Sequence, residues 1–180
     1  EAMKEFGEGI ICLSGCLAGE VSQAILADRL DEAETIIHEY GEIFGPENFY
    51  LEVMKHGIDL EDTTREAMKE LSRTTGVPLV GTNDIHYIQH EDWKAQDVAL
   101  CIGTGKTEAD PNRFRMTTRE LYFKDTAQMS ELFSDIPQAI TSTREIADRC
   151  NVSIDFDNRF LPAFKTPEPH DSAAYFRELC

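Results

Sequence analysis

Three short apolar runs, separated by two stretches of helical periodicity, set the terms on which this chain can fold. The runs are Gly9-Ile10-Ile11-Cys12-Leu13-Ser14, Phe49-Tyr50-Leu51-Glu52-Val53-Met54 and Val77-Pro78-Leu79-Val80-Gly81-Thr82. Each is short, continuous and bounded by turn residues, the pattern of a strand. Pro78 sits at the start of its run, where a missing N–H is tolerated. Between the first two runs Ala33, Ile36, Ile37, Tyr40, Ile43 and Phe44 recur at helical spacing. Asp31 and Glu34 stand there as a capping box and Gly45-Pro46 as a stop. Between the second and third, Ala67, Met68 and Leu71 share one helical face, closed by Gly76. Strand–helix–strand–helix–strand implies parallel strands joined by right-handed crossovers, so the class is α/β.

The second half reads differently. Trp93, Ala95, Val98, Ala99 and Ile102 predict one helix, and Met129, Leu132 and Phe133 a short one. Ile136, Ile140, Thr143, Ile146, Ala147 and Cys150 predict a longer helix with Asp135 as its N-cap. A proline-spaced linker from Leu161 to Pro169 precedes a capped helix start at Asp171, with Phe176, Leu179 and Cys180 on one face. The chain opens on Glu1 rather than Met and ends without a stop signal, so both ends read as cut.

Composition narrows the function. The chain holds 34 Asp+Glu against 17 Lys+Arg, a formal net charge of −17, yet 41% of its residues are hydrophobic. That apolar share excludes a disordered acidic tail. No run approaches the ~20 apolar residues needed to cross a bilayer, and no signal segment opens the chain. The acidity argues against nonspecific nucleic-acid binding by this stretch, since phosphate neutralisation needs clustered Lys and Arg. Cys12, Cys16, Cys101, Cys150 and Cys180 are odd in number and scattered, which fits free or metal-bound thiols in a reducing cytoplasm.

Parallel α/β architectures carry their sites at the carboxyl ends of the strands. Cys16 follows the first strand, Glu52 and His56 the second, and Asp84 and His86 the third. If the third strand continues, alternation puts positions 84 and 86 on one side. A carboxylate, an imidazole and a thiolate converging there would suit zinc, or manganese or iron. Against that stand plainer roles: a helix cap beside a satisfied histidine for Asp84 and His86, and a small buried residue for Cys16. His56 before Gly57 reads as a turn or supporting residue, and Glu52 as inward-facing support or surface.

Other motifs carry less. Gly103-Thr104-Gly105-Lys106-Thr107 lacks the earlier glycine and preceding strand of a phosphate-binding loop. Asp155-Phe156-Asp157 reads as a solvated turn. Glu61-Asp62 and Glu91-Asp92 read as helix N-termini favoured by the macrodipole. His38, His90 and His170 read as surface residues.

The ordered set of motifs closely resembles one family. Leu13-Ser14-Gly15-Cys16-Leu17, Phe49-Tyr50-Leu51-Glu52 with His56-Gly57, and Thr82-Asn83-Asp84-Ile85-His86-Tyr87 come first. Leu100 to Thr107, Asp110-Pro111-Asn112-Arg113, Leu121-Tyr122-Phe123-Lys124, Glu145-Ile146-Ala147 with Cys150-Asn151-Val152, and Leu161-Pro162-Ala163-Phe164 follow. The resemblance is to the alpha subunits of bacterial DNA polymerase III, the replicative C-family DNA polymerases, in the later part of their polymerase and histidinol phosphatase (PHP) domain.

The resemblance implies a distorted parallel, TIM-like PHP barrel, then a helical segment and linker. Residues 1–160 would be the later PHP portion and 161–180 the linker and start of a palm domain. It implies Cys16, Asp84 and His86 as metal ligands for zinc, manganese or iron, with further ligands upstream of Glu1. Palm-domain magnesium would lie outside this stretch, and with it the polymerase active site. For the intact protein it implies DNA-directed DNA synthesis on a template-primer with dNTPs, in the cytoplasm. The partners implied are other replicase subunits such as the sliding clamp and a proofreading subunit, with no membrane. The PHP site itself would be a 3′–5′ exonuclease or, alternatively, a non-catalytic docking and structural domain. A stand-alone metal phosphoesterase of the same superfamily fits the first 85 residues but not the motifs from Cys101 to Phe164.

Overall fold

A computed structural model describes residues 1–158, 161 and 164–180, and these form two units, Glu1–Cys150 and Asn151–Cys180. In the first, α1 (Ala2–Phe6) leads into β1 (Cys12–Leu13), then α2 (Glu20–Leu26) and α3 (Leu30–Phe44). β2 (Phe49–Val53), α4 (Asp59–Thr75) and β3 (Leu79–Gly81) follow. A single 3-10 turn (His90–Asp92) runs into α5 (Trp93–Thr104), before α6 (Thr126–Leu132) and α7 (Pro137–Arg149).

The strands pair in parallel in the order β1-β2-β3, with Cys12 opposite Phe49 and Leu51 opposite Leu79. The α/β class and the three strands expected from the sequence are therefore present. β1 is shorter than its apolar run because Ile10 N–H turns back to the Gly7 carbonyl. α2 was not expected: only Val21, Ala24 and Ile25 mark its buried face, too few for a period to stand out.

Phe49, Leu51 and Val53 of the central strand are essentially inaccessible, sealed by Ile37 of α3, Met68 of α4 and Phe133 after α6. Filling this centre with large side chains is the dominant favourable term, about 1.5–3 kcal/mol for each. α3 and α7 lie where their periodicity predicts, but neither starts as expected. α3 begins at Leu30 with no side-chain cap, and Arg29 pairs with Glu32 instead. Asp135 does not cap α7, whose first residue is Pro137. Its carboxylate instead takes the Arg65 guanidinium at 2.5 Å, tying α4 to the approach of α7. A tertiary ion pair has displaced the local capping role.

The unit from Asn151 holds α8 (Ser172–Leu179), capped by Asp171, whose carboxylate accepts the Ala174 N–H at 2.8 Å, as its sequence predicts. Phe164 stacks on Tyr175 there. Of the Leu161-Pro162-Ala163-Phe164 motif, Pro162 and Ala163 lie outside the described residues. Asp155 bends the chain by accepting the Asp157 N–H, in keeping with a solvated turn. No helix among the described residues is long and apolar enough to cross a membrane.

Candidate metal centre

Glu52 organises the carboxyl ends of the three strands. One carboxylate oxygen accepts the Gly15 N–H at 3.0 Å and the other the Thr82 hydroxyl at 2.6 Å. Its own N–H donates to Ser14 Oγ at 2.8 Å. The turn after β1, the central strand and the residue after β3 are thus fastened by one residue, the inward-facing support that the sequence left open. Gly15 stands at φ +83°, and a Cβ on Gly19 would fall 2.3 Å from the Ser14 carbonyl oxygen. Only glycine fits this tight reversal without displacing backbone. The reversal carries Cys16, which is exposed.

Beneath the next loop lies a buried polar chain. His56 Nδ1 meets Glu61 Oε1 at 2.7 Å, and the other Glu61 oxygen accepts the His56 N–H at 2.6 Å. His56 Nε2 meets the Asn83 carbonyl at 2.9 Å. Burial pushes the imidazole toward its neutral form. The Glu61 carboxylate and the Asn83 carbonyl outweigh it and hold the group above the ordinary histidine value. With an acceptor on each ring nitrogen, His56 is a double donor and offers no lone pair to a metal. Asn83 in turn donates to the Tyr122 carbonyl at 2.5 Å and accepts from Lys124 Nζ at 3.2 Å. Burial draws the Lys124 ammonium below the usual lysine range.

This chain holds the residue before Asp84 on both backbone and side chain. Asp84 itself adopts φ +40°, uncommon for a non-glycine residue and a mark of a position its surroundings over-determine. β3 ends at Gly81, so strand alternation does not bring positions 84 and 86 together as expected. The left-handed turn does. His86 Nε2 lies 3.3 Å from Asp84 Oδ1, and the His86 N–H is anchored on the Leu121 carbonyl at 2.9 Å. Both side chains are partly exposed.

Asp84 and Cys16 line one cavity of about 160 Å³, with Met54, His56, Met116 and Thr118 among its walls. The structure thus brings Asp84 and His86 into contact and sets the Cys16 thiol in the cavity that Asp84 lines. No three His, Cys, Asp or Glu side chains among the described residues are close enough together to hold a metal ion. Oxygen, nitrogen and sulfur donors of this kind fit zinc, manganese or iron in chemistry. Glu52 and Glu61 add nothing to that set, because their oxygens are already spent on protein donors.

Sequence reasoning took Glu61 as a dipole-favoured residue of a helix start. It does lie in the first turn of α4, but it is buried and its partner is His56. Lys124, an amine closing the apolar run Leu121-Tyr122-Phe123, carries a sequence signal for this buried role, whereas Asn83, between Thr82 and Asp84, carries none. His38 and His90 are exposed, and Gly105 ends α5 rather than opening a phosphate loop.

Comparison with known proteins supplies the family. Residues 1–56 match the PHP domain. The DNA polymerase III subunit alpha of Treponema pallidum is 41% identical over 176 residues, covering 98% of this chain and 15% of that protein. The same subunit of Pseudomonas aeruginosa is 39% identical over 97% of this chain and 15% of its own length. That of Mycobacterium leprae is 37% identical over 98% of this chain, again 15% of its own. The match is continuous across the α/β unit and the residues after it, and it spans only about 15% of each relative. The chain belongs to the DNA polymerase III alpha-subunit family, as a segment whose first 56 residues are PHP-domain sequence.

Proposed function

We propose that this chain serves a replicative DNA polymerase, as the later part (residues 1–160) of a barrel-shaped PHP domain leading through residues 161–180 toward a palm domain. Similarity to alpha subunits over 98% of the chain supports the polymerase assignment. The intact protein would then perform DNA-directed DNA synthesis on a template-primer with dNTPs. It would do so in the cytoplasm, beside a sliding clamp and a proofreading subunit. Polymerase magnesium belongs to carboxylates outside these residues.

Within the segment, Cys16, Asp84 and His86 are the residues that would hold a divalent ion, zinc, manganese or iron. The observation that carries this is the 3.3 Å contact of Asp84 with His86 beside the cavity that Cys16 lines. These residues would hold an ion that would supply polarisation of a phosphoryl oxygen and a lowered pKa of bound water, the chemistry of 3′–5′ phosphodiester cleavage. The protein's own part is to hold Asp84 in its left-handed turn through Asn83, and to fix His86 by its backbone.

A second reading has its own observation in favour: the polar groups around the cavity are largely satisfied within the protein, as suits a scaffold or docking domain. Metal analysis and exonuclease assay of the intact polymerase, wild type and His86→Ala, separate the two. Metal and nuclease activity that both fall in His86→Ala support the first. Wild type free of both supports the scaffold.

A further inference from the structure

A second cavity, of about 190 Å³, lies between α5 and the loop that follows it, walled by Tyr87, Trp93, Gln96, Leu100, Arg115 and Arg119. Its charge runs against that of the chain. Arg119 lies 3.8 Å from the centre of the Trp93 ring and the Lys94 ammonium 5.8 Å from it. Neither arginine, nor Lys94, forms an ion pair with a carboxylate among the described residues. Arg29, Arg65, Lys69, Arg73, Lys106, Arg113, Lys124 and Arg144 all do. The one carboxylate in the wall, Asp97, is already held by Arg113 through two bonds of 2.6 and 2.5 Å, which keep its carboxyl below the usual range. That fork also pins the loop carrying Arg115 and Arg119 to α5. The Tyr87 hydroxyl is buried at the wall, with no side-chain partner.

Arg115 spends one N–H on the Glu108 carbonyl at 3.3 Å and its charge also bears on Asp97, but neither it nor Arg119 is closed into a carboxylate fork. Two such guanidinium groups beside an indole suit a phosphate attached to a flat, partly apolar body. Guanidinium forks match phosphate oxygens bidentately, and Trp93, Leu100 and Met116 offer surface to a sugar or base. In a molecule of charge −17, an anion is drawn to places where cations stand together without carboxylate partners, as Lys94, Arg115 and Arg119 do around Trp93. Met116 and Thr118 line both this cavity and the one that Cys16 and Asp84 line, so the two share a wall. We propose that the Trp93–Arg115–Arg119 cavity binds a nucleotide through its phosphate. Its use as a seat for a strand end beside Asp84 and His86 rests on the metal reading; the binding does not.

Trp93 is the only tryptophan of the chain, so its fluorescence reports the cavity directly. The chain, held in chelator, is titrated with dAMP, inorganic phosphate and a hexaglutamate peptide, with calorimetry as a second readout. The expected result is a saturable response to dAMP, tighter than to phosphate or peptide and weaker at higher salt. Arg115→Gln with Arg119→Gln should weaken dAMP by about tenfold or more by calorimetry, at an unchanged melting temperature. No saturable response to dAMP overturns the proposal. So does phosphate binding as tightly as dAMP, or hexaglutamate binding more tightly than either. Because no metal is present, a negative result leaves the Asp84–His86 reading standing. A wild type that takes up no metal, with the dAMP response intact, would do the reverse.

Discussion

The imidazole of His56 rests against the carboxylate of Glu61, Nδ1 to Oε1 at 2.7 Å, with side chains 1% and 7% exposed. Glu61 also takes the His56 N–H, so one carboxylate holds the residue by ring and backbone together. Removing its charge leaves a buried imidazolium without a counter-ion. Glu61→Gln should cost about 3 kcal/mol, read as a lower urea midpoint at constant slope. An unchanged midpoint would mean that His56 is uncharged in the folded protein.

The same pair sets a pH dependence. The folded-state pKa of His56 is raised above its ordinary 6.5, so its contribution is fully present below that value. It is lost as pH rises through the folded value. Melting temperature should therefore decline as pH rises above 6.5, and His56→Gln should flatten that decline while lowering stability at pH 6. A wild-type profile as flat as the variant's would contradict this.

Metal binding by the chain itself should be weak, because two donors are in contact and the third stands apart. Zinc uptake followed by competition with a chromophoric chelator should show no tight, multi-ion stoichiometry. Asp84→Asn and His86→Ala should each weaken what binding there is by about tenfold or more, and Cys16→Ser should weaken it too.

Gly19→Ala places a Cβ 2.3 Å from a backbone oxygen that cannot move without shifting the Cys16 reversal. The expected loss is about 1–3 kcal/mol, visible in thermal melts. Alkylation of Cys16 should also change rate in this variant, whereas Gly41→Ala, where a Cβ meets nothing, should change neither.

Much of this was legible locally. Short apolar runs and 3.6-residue periods depend on neighbours in sequence, so β2, β3, α3, α4 and α7 lie close to where their patterns place them. What escaped depends on partners far along the chain. Asp135 reads as a cap until Arg65, seventy positions earlier, claims it. Positions 84 and 86 do meet, but through a left-handed residue that Asn83, His56 and Lys124 hold in place, and no alternation rule predicts such a turn. The candidate donors were visible as residue types; their degree of convergence was not.

Glu52 has a consequence for how the mouth of the sheet moves. Because its two oxygens and its N–H hold the ends of β1 and β3 at once, neither loop can fray without releasing the other. Thermal opening there is concerted: the amides of Gly15 and of Glu52 should exchange with solvent deuterium as one event, slowly and at a common rate. The freedom that a ligand would otherwise have to remove from Cys16 and Asp84 has been surrendered already, during folding, to a single carboxylate.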